Sequence, residues 1–346
     1  RATINMADSA ASPAPEWGDS PRALVTGVAG FIGSRVALRL RSEGVPVLGV
    51  DPFDPYYGRR QKEANLDELR SDSDFELREV NLSSTPISPL LDGVTHVFHC
   101  AAQAGVRGSW ASGFEHYVTS NILATQRLLE AVREHGVWRF VYSSSSSVYG
   151  DVTEAVDEDA PTRPRSPYGA TKLAAEHLCG VYAREFGVPC VSLRYFTVFG
   201  PGQRPDMAFH RMIESALSGE TFPLFGDGSA RRDFTFVDDV VEANIRGALV
   251  DVPPGAVYNI GGGDSRTISQ VLDDLGRIIG TPVPVAREGR QAGDVKITAA
   301  ITDRARDELG WTPVVDWETA LSKQVDWHRS RRDVLDNAEA LGGVAV

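Results

Sequence analysis

The apolar run Ala23–Thr26 stops at Gly27, and Gly27-Val28-Ala29-Gly30-Phe31-Ile32-Gly33 follows before helical spacing takes over at Val36–Arg41. This junction of strand, glycine turn and helix constrains the fold more than any other stretch. The first glycine permits the tight turn, the second a close backbone approach to a pyrophosphate, and the third close packing of helix on strand. The helix that begins there aims its first N–H groups at phosphates. Pro46–Val50 reads as a second strand, and Asp51 ends it eighteen residues past Gly33. A carboxylate at that place binds a ribose diol and repels a 2′-phosphate, so the reading is NAD rather than NADP. Gly27, Gly30, Phe31, Ile32, Gly33 and Asp51 form the first cofactor contacts. Arg59 and Arg60 lie too far along to reverse the preference.

The rest of the chain continues the alternation. Strands are expected at Phe75–Val80, His96–His99, Arg139–Ser143 and Cys190–Tyr195, and helices at about 114–135 and 168–186. Such alternation predicts an α/β fold, a Rossmann-type doubly wound parallel sheet. After Gly200 the rhythm changes, with helices expected near Phe209–Ser218, Asp238–Leu249, Thr267–Ile279 and Asp316–Arg331 and a short strand at Val257–Ile260. We therefore expect a smaller C-terminal α/β substrate-binding portion. The division is 21–199 for the cofactor sheet, with 233–265 returning to it, and 200–232 with 266–332 for the substrate. Residues 1–20, rich in Ala, Ser and Pro, read as a tail with Met6 as the natural start; residues 333–346 read as a second tail.

A formal charge of −12 excludes a general nucleic-acid or anionic-membrane binder, so any anionic ligand must be met by locally gathered cations. No apolar run reaches the ~20 residues that span a bilayer. Cys100, Cys179 and Cys190 show no paired spacing, which suits a cytoplasmic protein. His116, His135, His177, His210 and His328 show no metal-ligand spacing, so no metal is expected.

Tyr168-Gly-Ala-Thr-Lys172 places a phenol and an ammonium at i and i+4 on one helix face. Upstream, Phe140-Val-Tyr-Ser143 runs into Ser144-Ser145-Ser146-Ser147 at the strand end where a doubly wound sheet builds its site. An ammonium about 4–6 Å from a phenol, at an effective dielectric near 20, is worth roughly 3–4 kcal/mol, or about 2–3 pK units. Lys172 is thus expected to lower the pKa of Tyr168 and make it a base. A serine at the strand end holds the reacting hydroxyl and passes its proton.

Together Gly27–Gly33, Asp51, Ser145, Tyr168 and Lys172 resemble the extended short-chain dehydrogenase/reductase family of NAD-dependent sugar-nucleotide enzymes. Further likenesses are His99-Cys-Ala-Ala102, Asn121 in SNILAT, Ser147-Val-Tyr-Gly150, Arg194-Tyr-Phe-Thr-Val-Phe-Gly-Pro201 and Arg232-Asp-Phe-Thr-Phe-Val-Asp-Asp239. The resemblance implies Ser145, Tyr168 and Lys172 as catalytic residues and oxidation of a sugar at C4. It adds Asn81, Leu82, Ala101, Ala102, Gln103, Asn121, Tyr168, Lys172 and Tyr195 to the cofactor contacts. Asn81 departs from the family, which usually has Asp there. The helices at 114–135 and 168–186 would pair across a homodimer.

Ser146 and Ser147 stand where sugar dehydratases carry Asp-Glu and where glucuronate decarboxylases keep a Glu, so elimination lacks its acid–base pair. That leaves C4 epimerisation. Asp51-Pro-Phe-Asp-Pro-Tyr-Tyr57, Ala101-Ala-Gln-Ala-Gly-Val-Arg107 and Tyr195–Met207 resemble UDP-glucuronate 4-epimerases more than galactose epimerases. Hydroxyls of Ser146, Ser147 and Thr197, with charge from Arg204, are expected to hold the sugar carboxylate; Arg232 and Arg290 are expected on the UDP diphosphate. The alternatives are a UDP-glucose/UDP-galactose 4-epimerase, a UDP-glucuronate decarboxylase, and a non-catalytic NAD-binding sensor.

Overall fold

The computed structural model describes residues 16–289 and 293–340. Strand β1 (Ala23–Thr26) leads through α1 (Phe31–Ser42) to β2 (Val47–Val50); the short helices α2 (Arg59–Ala64) and α3 (Asp67–Arg70) precede β3 (Phe75–Arg78) and β4 (His96–His99). Helix α4 (Phe114–Tyr117), a π-helical stretch at Val118–Leu123 and α5 (Ala124–His135) run on into β5 (Arg139–Ser145), α6 (Pro167–Phe186) and β6 (Cys190–Tyr195). Then follow β7 (Val198–Phe199), α7 (Ala208–Ser218), β8 (Phe222–Phe225), β9 (Arg231–Asp233), β10 (Thr235–Phe236), α8 (Val237–Leu249) and β11 (Ala256–Ile260). The chain closes with β12 (Ser265–Thr267), α9 (Ile268–Ile279), β13 (Val285–Glu288), α10 (Asp303–Leu309) and α11 (Trp317–Ala340).

Seven strands form one sheet in the order β11-β6-β5-β4-β1-β2-β3, and every pairing in it is parallel. Strands β1, β2, β4, β5 and β6 are buried at every position, because helices cover the parallel sheet on both faces. Apolar residues of α1 and α8 fill the core on one face, and those of α5 and α6 the other. The strand order reverses between β1 and β4, where Thr26 lies beside both Val50 and His99. Ligands of doubly wound sheets bind at such a switch point, beyond the carboxyl ends of the strands. Over the carboxyl end lies a cap in which β9 pairs antiparallel with β12 and β8 parallel with β13.

The doubly wound sheet predicted from the alternation is the one observed. Two terminal expectations are corrected. Trp17 belongs to the packed body: its indole N–H donates to Glu43 at 2.7 Å and its ring meets His96 edge-on at 5.1 Å. The rest of the expected N-terminal tail, residues 1–15, lies outside the described residues. Helix α11 continues to Ala340, past the expected boundary at 332. The short α2, α3 and α10 and the two- to four-residue cap strands carry too little periodicity to be read in advance.

Candidate active site

The glycine turn is built as its spacing demands. Gly27 has φ +68°, and a Cβ on Gly33 would stand 2.2 Å from the Gly27 carbonyl oxygen, so α1 starts hard against the turn. One cleft runs from Gly27, Gly30, Phe31, Ile32 and Gly33 past Asp51, Asn81, Leu82 and Ala101–Gln103 to Tyr168, Lys172 and Tyr195. A glycine cradle that a methyl group would fill, facing a carboxylate at one end and a Tyr–Lys pair at the other, fits an extended dinucleotide.

The carboxylate of Asp51 is buried and fixed. Oδ2 accepts from Ala29 N at 3.2 Å, while Oδ1 accepts from Phe53 N at 2.8 Å and from Lys62 Nζ at 3.3 Å. No motif in the sequence marks Lys62, which α2 brings back onto the strand end. Arg59 points elsewhere, onto Glu63 and Glu79. Asn81 Oδ1 closes a turn onto Ser83 N at 2.9 Å. His116, Tyr56 and Tyr57 also line the cleft; His116 Nε2 reaches Gln103 Oε1 at 2.9 Å and Asp54 at 3.2 Å.

Asn121 lies in the π-helical stretch and lines neither this cleft nor the cap cavity. Its Oδ1 accepts from Gln103 N at 2.7 Å, and its Nδ2 donates to Gln103 O and Thr171 Oγ1 at 3.0 Å. Asn121 thereby ties the loop after β4 to α6.

The serine run divides its work. Ser143 Oγ meets Tyr195 Oη at 3.1 Å, and Ser144 Oγ donates to Glu176 at 2.6 Å. Glu176 is itself held by a buried two-pronged pair with Arg194, at 2.6 and 3.0 Å. Ser145 caps the turn Ser146–Val148 by accepting from Ser147 N at 3.1 Å. Helix α6 is capped by Ser166, whose Oγ accepts from Gly169 N at 3.1 Å, with Pro167 at its first position. A Cβ at residue 169 would stand 2.6 Å from Ser147 O, so Gly169 lets the Tyr168 turn press onto the serine turn. Ser146 and Ser147 form the turn itself and do not line either cavity.

The electrostatics differ from the simple pair expected of Tyr168 and Lys172. Burial raises the Tyr168 phenol above its usual value, and what opposes the rise is the Ser145 hydrogen bond and then the Arg204 cation. The Lys172 ammonium is bound to the Ser143 carbonyl and lies 4.5 Å from the Tyr142 ring centre. Burial brings Lys172 down to about 8, against the pull of Cys100, Cys179 and Glu176. Arg204 lies in the cofactor cleft and is clasped by both oxygens of Asp206 at 2.9 Å.

A separate cavity of about 770 Å³ lies under the cap. Phe209, Phe222, Phe225 and Phe234 give it an apolar floor, and Arg107, Arg231, Arg232 and Lys296 bring cations to it. The structure places Thr197 and Arg232 here, apart from Arg204. Arg232 Nη1 donates to the carbonyls of Arg231 at 2.8 Å and Lys296 at 3.3 Å. The Arg107 guanidinium stands 4.0 Å over the centre of the Phe225 ring and pairs with Asp294 at 3.3 Å. Arg290 lies outside the described residues.

Known proteins share this architecture. The model of the NAD dependent epimerase/dehydratase family matches residues 23–261. The uncharacterized UDP-glucose epimerase YtcB of Bacillus subtilis is 40% identical over 87% of this chain and 96% of its own length. The UDP-glucuronate 4-epimerase of Thermodesulfobacterium geofontis is 36% identical over 90% and 97%. Among solved structures, UDP-glucuronic acid 4-epimerase from Bacillus cereus, in complex with UDP-glucuronic acid and NAD, superposes with a TM-score of 0.87. Its identity is 39%, over 90% of this chain and 99% of that one.

Proposed function

The chain belongs to the NAD dependent epimerase/dehydratase family, and on that premise we propose that it epimerises UDP-glucuronate at C4 to UDP-galacturonate. The observation that carries the reading is the meeting of Tyr168, Ser145 and Lys172 at one end of a dinucleotide cleft, beside a turn that has serines where elimination needs carboxylates.

NAD, when bound, supplies the acceptor that oxidises C4 and the donor that reduces it again. The chain's own residues handle the proton. Tyr168 takes it from the C4 hydroxyl and returns it to the same oxygen once the keto sugar has turned over to present its other face, with Ser145 holding the oxygen. Lys172, fixed on the Ser143 carbonyl, positions the strand end and offers its remaining N–H groups to the cofactor ribose. Asp51 receives the adenosine ribose. The cap cavity takes the uridine diphosphate, with Arg232 on the phosphates and the phenylalanine floor under the base. Thr197, which lines the cap cavity, holds the sugar carboxylate and keeps the β-keto acid from losing CO₂.

We divide the chain accordingly into a cofactor sheet (21–199 with 233–265) and a substrate cap (200–232 and 266–332). We also place it in the cytoplasm, where its three cysteines stay as thiols, and assign it a homodimeric state. Exposed Leu123 in the π-helical stretch and Val181 and Phe186 on α6 support a face that a second copy covers.

Incubation with NAD and UDP-glucuronate, followed by separation of the nucleotide sugars, tests the reaction. UDP-galacturonate is the expected product. A UDP-pentose, a UDP-4-keto-pentose, no turnover, or turnover of UDP-glucose alone would reject it.

A further inference from the structure

Helices α7 and α11 bring together three side chains that the proposed reaction does not use. His210 and Glu214 stand one turn apart on a single face of α7, and His328 reaches them from α11, 114 residues beyond Glu214. One donor atom from each lies within 4.8 Å of the other two. The two imidazole rings are 4.5 Å apart, centre to centre.

The hydrogen bonds set which ring nitrogens are available. His210 Nδ1 faces the Gln203 carbonyl at 2.9 Å, and His328 Nδ1 faces Glu214 Oε1 at 2.5 Å. A carbonyl only accepts, so His210 Nδ1 carries the proton and its Nε2 keeps a lone pair, while His328 Nδ1 and Glu214 Oε1 hold a single proton between them. His328 is 1% exposed, and its Nε2 is buried with no hydrogen-bond partner. A ring so enclosed keeps its Nδ1 aimed at Glu214.

We propose that His210, Glu214 and His328 bind a divalent transition metal of the zinc class. Two imidazole nitrogens and a carboxylate oxygen suit Zn²⁺ and not Mg²⁺ or Ca²⁺, which take oxygen ligands. A ligating histidine commonly donates its other ring N–H to a carbonyl, the role that Gln203 O already fills for His210, and an ion between His328 Nδ1 and Glu214 Oε1 displaces the proton they share. Bonds of about 2.0–2.2 Å to zinc put tetrahedral donors roughly 3.4 Å apart, so His328 Nδ1 and Glu214 Oε1 part from 2.5 Å while the widest pair closes from at most 4.8 Å. Glu214 is also held by Arg332 at 2.6 Å; that guanidinium is a third exposed and has solvent to swing into. The metal fastens α11 to α7 behind the loop that carries Arg204. It is a structural site, outside the reaction cleft.

Titration of metal-stripped, tag-free, full-length protein with Zn²⁺ and with Co²⁺ tests the site. We expect one equivalent bound at micromolar Kd or tighter, visible absorption from four-coordinate Co²⁺, and a thermal midpoint raised by roughly several degrees at saturation. His210→Leu and His328→Tyr should each weaken zinc at least tenfold and remove the thermal shift, while the exposed-site control His177→Gln keeps both. If His328→Tyr does not fold, His210→Gln at a partly exposed position decides alone. No stoichiometric binding by the wild type, or binding unchanged in the His210 variants, overturns the proposal.

Discussion

The cofactor cleft and the cap cavity hold their polar groups in different ways. In the cleft nearly every group already has a protein partner: Asp51 has three donors, Lys172 sits on a strand carbonyl, and Tyr195 donates to Asn244 at 3.0 Å. In the cavity aromatic rings make the floor, and Arg107, nearly half exposed, stands 4.0 Å over one of them. A site whose donors are fixed before substrate arrives is suited to stabilising a charge that moves during reaction. A site of rings and partly solvated arginines is suited to capture. The comparison assigns rate to the cleft and affinity to the cap.

Tyr168→Phe is the largest way to break that assignment. Loss of the base should lower kcat by about 10²–10⁴-fold while nucleotide-sugar binding, read by calorimetry, holds. An unchanged rate would move the chemistry elsewhere. Arg232→Ala asks the same of the cap. Removing one charge-assisted contact of about 1.5–3 kcal/mol should raise KM roughly ten- to a hundredfold and leave kcat near the wild-type value. A fall in kcat alone would erase the distinction between the two regions.

Arg204→Met sharpens it with a smaller effect. Burial raises the Tyr168 phenol and Arg204 opposes that rise, so removing the cation raises it further and leaves Asp206 uncompensated nearby. A higher pKa means less phenolate at any pH below it. The rising limb of the kcat profile should therefore move to alkaline pH, with a loss of about three- to tenfold near pH 7.5 that a pH increase restores. An unmoved limb would return the tuning of Tyr168 to Lys172.

Much of the cleft was legible because its parts are local. Gly27–Gly33 is one turn, and Tyr168 with Lys172 is one helical face. The alternation of strands and helices placed the serine run at a carboxyl end. The roles within that run were not legible. Four adjacent serines look alike in sequence, yet Ser143 meets Tyr195, Ser144 meets Glu176 and Ser145 caps its own turn. Lys62 escaped notice because a lysine in a short helix carries no mark until α2 folds it onto Asp51.

The chain by itself thus determined the doubly wound sheet, the glycine cradle, the carboxylate at the second strand end and the Tyr–Lys pairing on α6. Each depends on residues a few positions apart within one element, where spacing along the chain is spacing in the molecule. Only the tertiary structure decided that Arg204 joins Ser145 in opposing the rise of the Tyr168 phenol, that Asn121 pegs a loop, and that His210, Glu214 and His328 converge. Those arrangements turn on separations of a few ångströms between side chains up to 118 positions apart in sequence. Coulomb energy and ligand geometry act over such distances, and no local pattern encodes them.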